Sequence, residues 1–136
     1  MAKTFTAAFA QDPKTFTSVL SAAVGGLNTD SPTNTESLVT SGPEGAIVTR
    51  ITAMPRETVT ASSLLLFLSK DGGVTQRLIA SELIPAHTVD ATTAIPVAVF
   101  ADISETAPIR LEAGDELYIG SSVAGNIVAF AQSTDY

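Results

Sequence analysis

Alternation of side chains with a period of two recurs along this sequence and constrains its fold more than any other feature. Near the start, Phe5, Ala7 and Phe9 alternate with Thr and Ala. In residues 47–54 the odd-numbered residues, from Ile47 to Ala53, alternate with the even-numbered ones. Successive side chains of a β-strand point to opposite faces of the sheet, so this pattern predicts strands in both segments.

Composition supports the same prediction. Ser and Thr together make up 31 of the 136 residues, whereas Glu, Lys, Arg, Gln and Met, which favour helices, are scarce. Thr, Val and Ile suit a pleated, half-buried surface. Residues 16–24 leave two alternatives open, because Phe16, Val19, Leu20 and Ala23 also have helical spacing and Asp12-Pro13 could cap a helix.

Turn residues divide the chain at intervals of 8–15 residues, with no break in composition and no internal repeat. Leu27–Thr35 is predicted to be a loop, and turns are predicted at 41–45 and 112–115. We predict an all-β chain, a single antiparallel β-sandwich or jelly roll of about eight to ten strands, with residues 1–136 forming one domain. The predicted strands cover 4–9, 16–24, 38–40, 47–54, 64–68, 78–84, 95–100, 109–111, 116–119 and 126–132.

The run Leu64–Leu68 is the one strand that does not alternate. It precedes Asp71-Gly72-Gly73, whose glycines supply the positive φ of a tight turn, so residues 61–84 are predicted to form a hairpin. A strand that is apolar on both faces loses water on both. It either lies centrally in the fold or contacts another subunit, and in the second case Leu65 and Phe67 are the candidate interface residues.

The inventory of chemically active groups is small. The chain has no cysteine and one histidine, His87, and no serine lies in a G-x-S-x-G turn. Glu112, Asp115 and Glu116 cluster in one predicted turn, where carboxylates are usually solvated rather than paired across a substrate. Gly-Gly pairs and acidic residues lack phosphate-binding or metal-binding spacing. We therefore predict no enzyme, no catalytic residue, no metal and no cofactor.

Charge and hydropathy restrict the partners. Seven basic and 14 acidic side chains give a formal charge of −7, and the basic residues are scattered singly, so a nucleic-acid partner is not expected. No apolar run approaches the ~18 residues of a spanning helix, and the N-terminus lacks the apolar core of a signal peptide. We expect neither membrane insertion nor classical secretion.

Three segments carry a resemblance to a known family. The sequences of 45–56 (GAIVTRITAMPR), 64–73 (LLLFLSKDGG) and 110–120 (RLEAGDELYIG) resemble those of small head decoration, or cement, proteins of tailed bacteriophages. The similarity extends over most of the chain, including its opening Met-Ala-Lys-Thr-Phe-Thr. Residues 111–117 separately resemble the turn before a late strand in jelly rolls such as the tumour necrosis factor heads.

The decoration-protein resemblance implies a structural role on a virion. It implies a protein made in the host cytoplasm that binds the major capsid protein on the outer surface of the head, often as a homotrimer. One molecule that bridges several capsid subunits resists their separation through multivalency. Residues 2–12, with Lys3, Phe5 and Phe9, are the candidate capsid-contact arm, since an alternating segment can add a strand to an exposed sheet edge. The alternative is that this segment is the first strand of the sandwich.

A second function remains open at this point. Glycan- and receptor-binding modules of phage tails or fibres are also β-sandwiches with hydroxyl-rich surfaces. They usually stack sugars on exposed aromatic rings, and only 6% of this sequence is aromatic.

Overall fold

The computed structural model describes residues 10–136 of the chain. Within this range there is no helix, and therefore none long and apolar enough to cross a membrane. Nine strands are present: β1 (Asp12–Leu20), β2 (Glu36–Thr40), β3 (Ala46–Pro55), β4 (Ser62–Ser69), β5 (Arg77–Ile84), β6 (Ala98–Val99), β7 (Ile109–Leu111), β8 (Glu116–Ser121) and β9 (Ile127–Asp135).

These strands form two antiparallel sheets. The β1 sheet has the order β1-β9-β3-β6, with β7 also paired to β3, and the β2 sheet has the order β2-β8-β4-β5. The chain passes repeatedly from one sheet to the other, so most neighbours in a sheet are distant in sequence. The molecule is a jelly-roll β-sandwich, which confirms the predicted fold class.

The core lies between the two sheets. Each strand contributes the side chains that point toward the other sheet, and these buried side chains are aliphatic or small. Fully buried members include Val48, Ile51, Leu64, Leu66, Leu117, Ile119, Ile127, Ala129 and Ala131.

Strand β1 resolves the ambiguity at residues 16–24 in favour of a strand, which begins earlier than predicted, at Asp12, and ends at Leu20 rather than at residue 24. It pairs with β9 over nine consecutive residues, from Asp12 opposite Asp135 to Leu20 opposite Ile127. Phe16 packs against the core and Leu20 is buried, whereas Val19 points outward. The helical alternative was wrong because β9 offers β1 an antiparallel partner along its whole length.

Strand β3 covers the predicted strand at 47–54, but its alternation is interrupted. A β-bulge lies between Val48 and Arg50, so that Val48, Ile51 and Ala53 face the core. An uninterrupted alternation would have placed Ile47 on the same face as Ile51. An inserted residue, here Thr49, reverses the alternation beyond it, and no pattern within β3 alone reveals this.

The predicted hairpin of residues 61–84 is confirmed. β4 and β5 pair antiparallel, and Gly72 and Gly73 between them have φ of 75° and 93°. The hairpin contains a second bulge, which leaves Ile79 without a pairing partner on β4.

The predicted strand at 95–100 is shorter than expected. Only Ala98 and Val99 pair with β3, opposite Ala53 and Thr52. Pro96 has no backbone N–H to donate to a ladder, which limits pairing at that end. The backbone of Phe100 still donates to Ile51 O at 3.1 Å.

The predicted loop at Leu27–Thr35 belongs to a longer segment, residues 21–35, which crosses the outer face of the β2 sheet. Val24 N donates to Ser121 O at 2.9 Å, and Gln76 N donates to Asp30 O at 2.8 Å. A side chain at Gly120 would overlap a methyl of Val24. This segment therefore covers apolar residues of the sheet that would otherwise face solvent.

Candidate functional site

The candidate arm residues Lys3, Phe5 and Phe9 lie outside the described residues, so their role stays a prediction. The end of the 2–12 segment is described. Gln11 N donates to Asp135 O at 2.9 Å, and Asp12 begins β1, which is an edge strand of the β1 sheet. The segment thus leads directly into a sheet edge.

The candidate interface residues Leu65 and Phe67 lie on β4, between β8 and β5. Their exposed fractions are 6% and 0% within a single chain. Leu65 is opposite Gly120, over which Val24 packs, and Phe67 is opposite Tyr118. The apolar character of both faces of β4 is thus already accounted for by the chain's own fold, as in the central-strand alternative. A subunit contact through these side chains would require exposure that the single chain does not give them.

His87 lies where two loops meet outside the strands. Its backbone N and O exchange hydrogen bonds of 3.0 Å with Val59. The imidazole Nε2 is buried and has no hydrogen-bond partner among the described residues. Activation of a serine nucleophile needs a hydroxyl in hydrogen-bond contact with the base, and this geometry does not provide that contact.

The acidic turn of residues 112–116 has a structural role, because ion pairs and hydrogen bonds join it to other turns. Lys70 Nζ lies 2.9 Å from Asp115 Oδ2 and 3.2 Å from Glu112 Oε2. Asp115 also accepts the backbone N–H of Glu112 at 3.0 Å. Ser41 Oγ donates to Glu112 O at 2.6 Å. The hydrogen bond that Lys70 donates to Asp115 raises the pKa of Lys70.

These carboxylates differ in burial, which corrects the expectation of a solvated cluster. The Glu112 side chain is 83% exposed, whereas that of Asp115 is 7% exposed. The carboxylate of Glu116 accepts a hydrogen bond of 2.6 Å from the Tyr118 hydroxyl. This hydrogen bond, with desolvation, raises the pKa of Tyr118 to about 12. Each group is held by a structural partner. No group of three or more His, Cys, Asp or Glu within residues 10–136 has a metal-binding arrangement.

An exposed apolar surface lies on the outer face of the β1 sheet. The register places Val19, Val128 and Met54 in one cross-strand row, with Phe130 in the next row. Val97, 48% exposed, adjoins them. Arg50 and Arg56 complete a groove of about 450 Å³, which we call the arginine face; its lining is Arg50, Thr52, Met54, Arg56, Val97, Val128 and Phe130.

A second exposed apolar surface follows β5, the last strand of the β2 sheet. Leu78, Ile79 and Leu83 are 43%, 45% and 72% exposed. Glu82, which points to the other face of β5 from Leu83, lines a smaller groove of about 260 Å³ together with Ile79 and Asp102. We call this surface, formed by Leu78, Ile79, Glu82, Leu83 and Asp102, the β5 edge.

Sequence reasoning missed both surfaces. A signal for the arginine face was present in β9, where Val128 and Phe130 alternate with Ala129 and Ala131. Both phases of that strand are apolar, and the larger residues point away from the core. A strand whose odd- and even-numbered residues are both apolar is expected to have a contact on each face, as β4 does. On β5, the bulge at Ile79 leaves a large side chain outside the regular pattern.

Comparison with known proteins informs the fold alone. No family model and no curated protein sequence matches this chain. Among solved structures, the structure of Eiger TNF from S. frugiperda is similar, with a TM-score of 0.55 over 94% of each chain. The sequence identity is 10%, so the likeness shows a shared jelly-roll sandwich and nothing about activity.

Proposed function

We propose that this chain is a non-enzymatic capsid decoration protein of a tailed bacteriophage. It binds the outer surface of the head, contacts the major capsid protein and stabilises the capsid lattice. The three segments that resemble decoration proteins support this proposal. The observation that carries it is the pair of exposed apolar surfaces on one β-sandwich, because such surfaces mark protein–protein contacts.

The arrangement suits a molecule that braces its neighbours. The two surfaces are different patches of one molecule, so one molecule can contact two neighbouring copies of the chain at once. Each copy of the assembly adds its own capsid contact, so an assembly that bridges several capsid subunits gains effective concentration at every further contact and needs only modest affinity at each. In this proposal the protein acts as a homotrimer on the virion and has no nucleic-acid or membrane partner.

Titration onto purified heads tests the proposal. Heads that lack this protein are mixed with increasing amounts of it, and the bound copies are counted after sedimentation. We expect saturable binding at a stoichiometry that matches a symmetry class of the shell, and a raised temperature of head rupture. Absence of the chain from purified virions by mass spectrometry would refute the proposal.

Deletion of residues 2–10 tests the arm separately. If the segment contacts the capsid, the deleted protein stays folded by circular dichroism and its occupancy on heads falls. Unchanged occupancy would show that the arm prediction is wrong while leaving head binding intact.

A glycan-binding role is the competing proposal. Every aromatic side chain within residues 10–136 is buried or half-buried, and sugar stacking needs an exposed ring. Binding on a glycan array, without binding to heads, would favour this role.

A further inference from the structure

We propose that copies of this chain associate head to tail, with the β5 edge of one copy docked on the arginine face of the next. The occupant of each surface is thus a second copy of this chain. This inference rests on the self-association in the proposed function and does not depend on head binding.

Charge complementarity carries the inference. The groove of the arginine face is lined by Arg50 and Arg56 and by no carboxylate of the described residues. The groove at the β5 edge is lined by Glu82 and Asp102 and by no cationic residue of the described range. Each groove thus carries charge of one sign, and Arg50 also borders a neighbouring groove that contains Glu105. Opposite charges around two apolar surfaces favour their mutual contact.

The charges concerned are free to pair with another molecule. Within residues 10–136, Arg50, Glu82 and Asp102 make no ion pair or side-chain hydrogen bond, and Arg56 uses only Nε, which donates to Asn126 Oδ1 at 2.9 Å. By contrast, the neighbouring Arg77 is paired with Asp30 at 3.3 Å. The proposed contact therefore breaks no ion pair of the single chain.

The same charges oppose a two-fold contact. Two arginine faces brought together would place four guanidinium groups in one interface, and two β5 edges would place four carboxylates there. Like charges in a desolvated contact cost several kcal/mol. A contact between two different surfaces is heterologous, and it forms a closed ring when the rotation between copies closes. The proposed trimer is such a ring.

The backbone of β5 also favours this docking. Among the strands of residues 10–136, β5 is the last of its sheet, and one row of its N–H and C=O groups has no strand partner there. Exposed Leu78 and Leu83 lie on the same strand. An apolar sheet edge of this kind is prone to association unless another surface covers it.

Charge reversal on the isolated protein tests the contact. We compare wild type, Arg50→Glu/Arg56→Glu, Glu82→Arg/Asp102→Arg and the combined four-site variant by sedimentation velocity. Each two-site variant is expected to weaken association by at least about tenfold, and the four-site variant to recover it. Glu36→Arg, on the opposite edge strand β2, is the control for Glu82→Arg and leaves association unchanged. Circular dichroism checks that every variant is folded.

Crosslinking provides an independent test that uses the absence of native cysteines. The V97C/L83C double variant, treated with a short bismaleimide, is expected to form covalent oligomers. The V97C and L83C single variants form none, because a head-to-tail contact does not bring identical positions together.

Three results would overturn the proposal. They are a monomeric wild type at the concentrations tested, oligomers that survive both reversals, or a four-site variant that stays dissociated. None of these results depends on whether the protein binds heads, so failure of this contact and failure of the proposed function are distinguishable.

Discussion

Asp115 illustrates how a single buried charge organises part of this molecule. Its carboxylate joins Lys70, at 2.9 Å, to the backbone N–H of Glu112, at 3.0 Å. The backbone carbonyl of Asp115 accepts from Ser41 N at 3.0 Å. Three turns that are far apart in sequence thus meet at one residue.

Replacement of Asp115 by Ala is expected to destabilise the protein by about 1–3 kcal/mol, because the backbone N–H of Glu112 loses its acceptor in a part-buried turn. Glu112→Ala is the matched control, since it removes an exposed carboxylate from the same lysine and should cost no more than ~1 kcal/mol. Urea unfolding of the two variants measures the difference. Equal losses would contradict a special role for the buried carboxylate.

Tyr118 is expected to lower the stability of the folded chain at alkaline pH. Its pKa is about 12 in the folded chain, raised by the hydrogen bond to Glu116, against about 10 for an unperturbed tyrosine. A raised pKa contributes stability that is complete below pH 10 and is lost as pH rises toward 12. Tyr118→Phe is expected to remove this part of the decline, visible as a smaller fall in unfolding midpoint between pH 10 and 12 than in wild type. Parallel curves for both proteins would refute it.

At the scale of elements, the strands differ in how well the alternation of their residues predicts which side chains face the core. β1 and β8 follow a simple in-and-out pattern, and their facing was predictable from residues such as Leu117 and Ile119. In β3, the face to which each side chain points could not be predicted across Thr49, because the bulge there is set by the register with β9. β4 is apolar on both faces because segment 21–35 covers the face that the core does not.

Gly120 is the contact at which segment 21–35 closes on β8. Gly120→Ala would place a methyl against the branched side chain of Val24, which has little rotational freedom. We expect a loss of about 1–3 kcal/mol and faster hydrogen exchange at the Val24 amide. Gly125→Ala is the control, because no atom lies within 4 Å of a Cβ there. Equal exchange rates in both variants would show that the segment does not depend on this contact.

At the scale of the whole molecule, the two sheets share one core, and neither buries its inner face without the other. Every long strand pairing except the β4–β5 hairpin joins segments distant in sequence. Such topologies close large loops before they gain contacts, so folding in milliseconds to seconds is expected.

Leu66→Ala in the β2 sheet and Ile51→Ala in the β1 sheet are each expected to cost about 2–5 kcal/mol. Because the core is shared, both should lower the midpoint of the same single transition, with calorimetric and van't Hoff enthalpies that agree. Val74→Ala, at a position that is 73% exposed, should leave it nearly unchanged. Two transitions, each moved by one variant, would show that the sheets unfold separately.

The sequence by itself determined the class of fold, most strand positions and the turns. These depend on period-two alternation and on glycine and proline chemistry, which act between neighbours along the chain. It also pointed to the acidic turn and to the two-sided burial of β4, although not to which group covers the second face. The resemblance to decoration proteins, from which the proposed function starts, is likewise a property of short segments.

Only the tertiary structure decided the strand order, the bulge in β3 and which apolar side chains stay exposed. Thr49 meets Gln132 across 83 residues of sequence, and no local pattern encodes such a pairing. Register assigns each side chain to a face, and burial then depends on whether another segment covers that face. For this reason Leu65 and Phe67 became buried residues of a single chain, while Val97 and Leu83, which no sequence pattern singled out, became the surfaces of the proposed contact between copies.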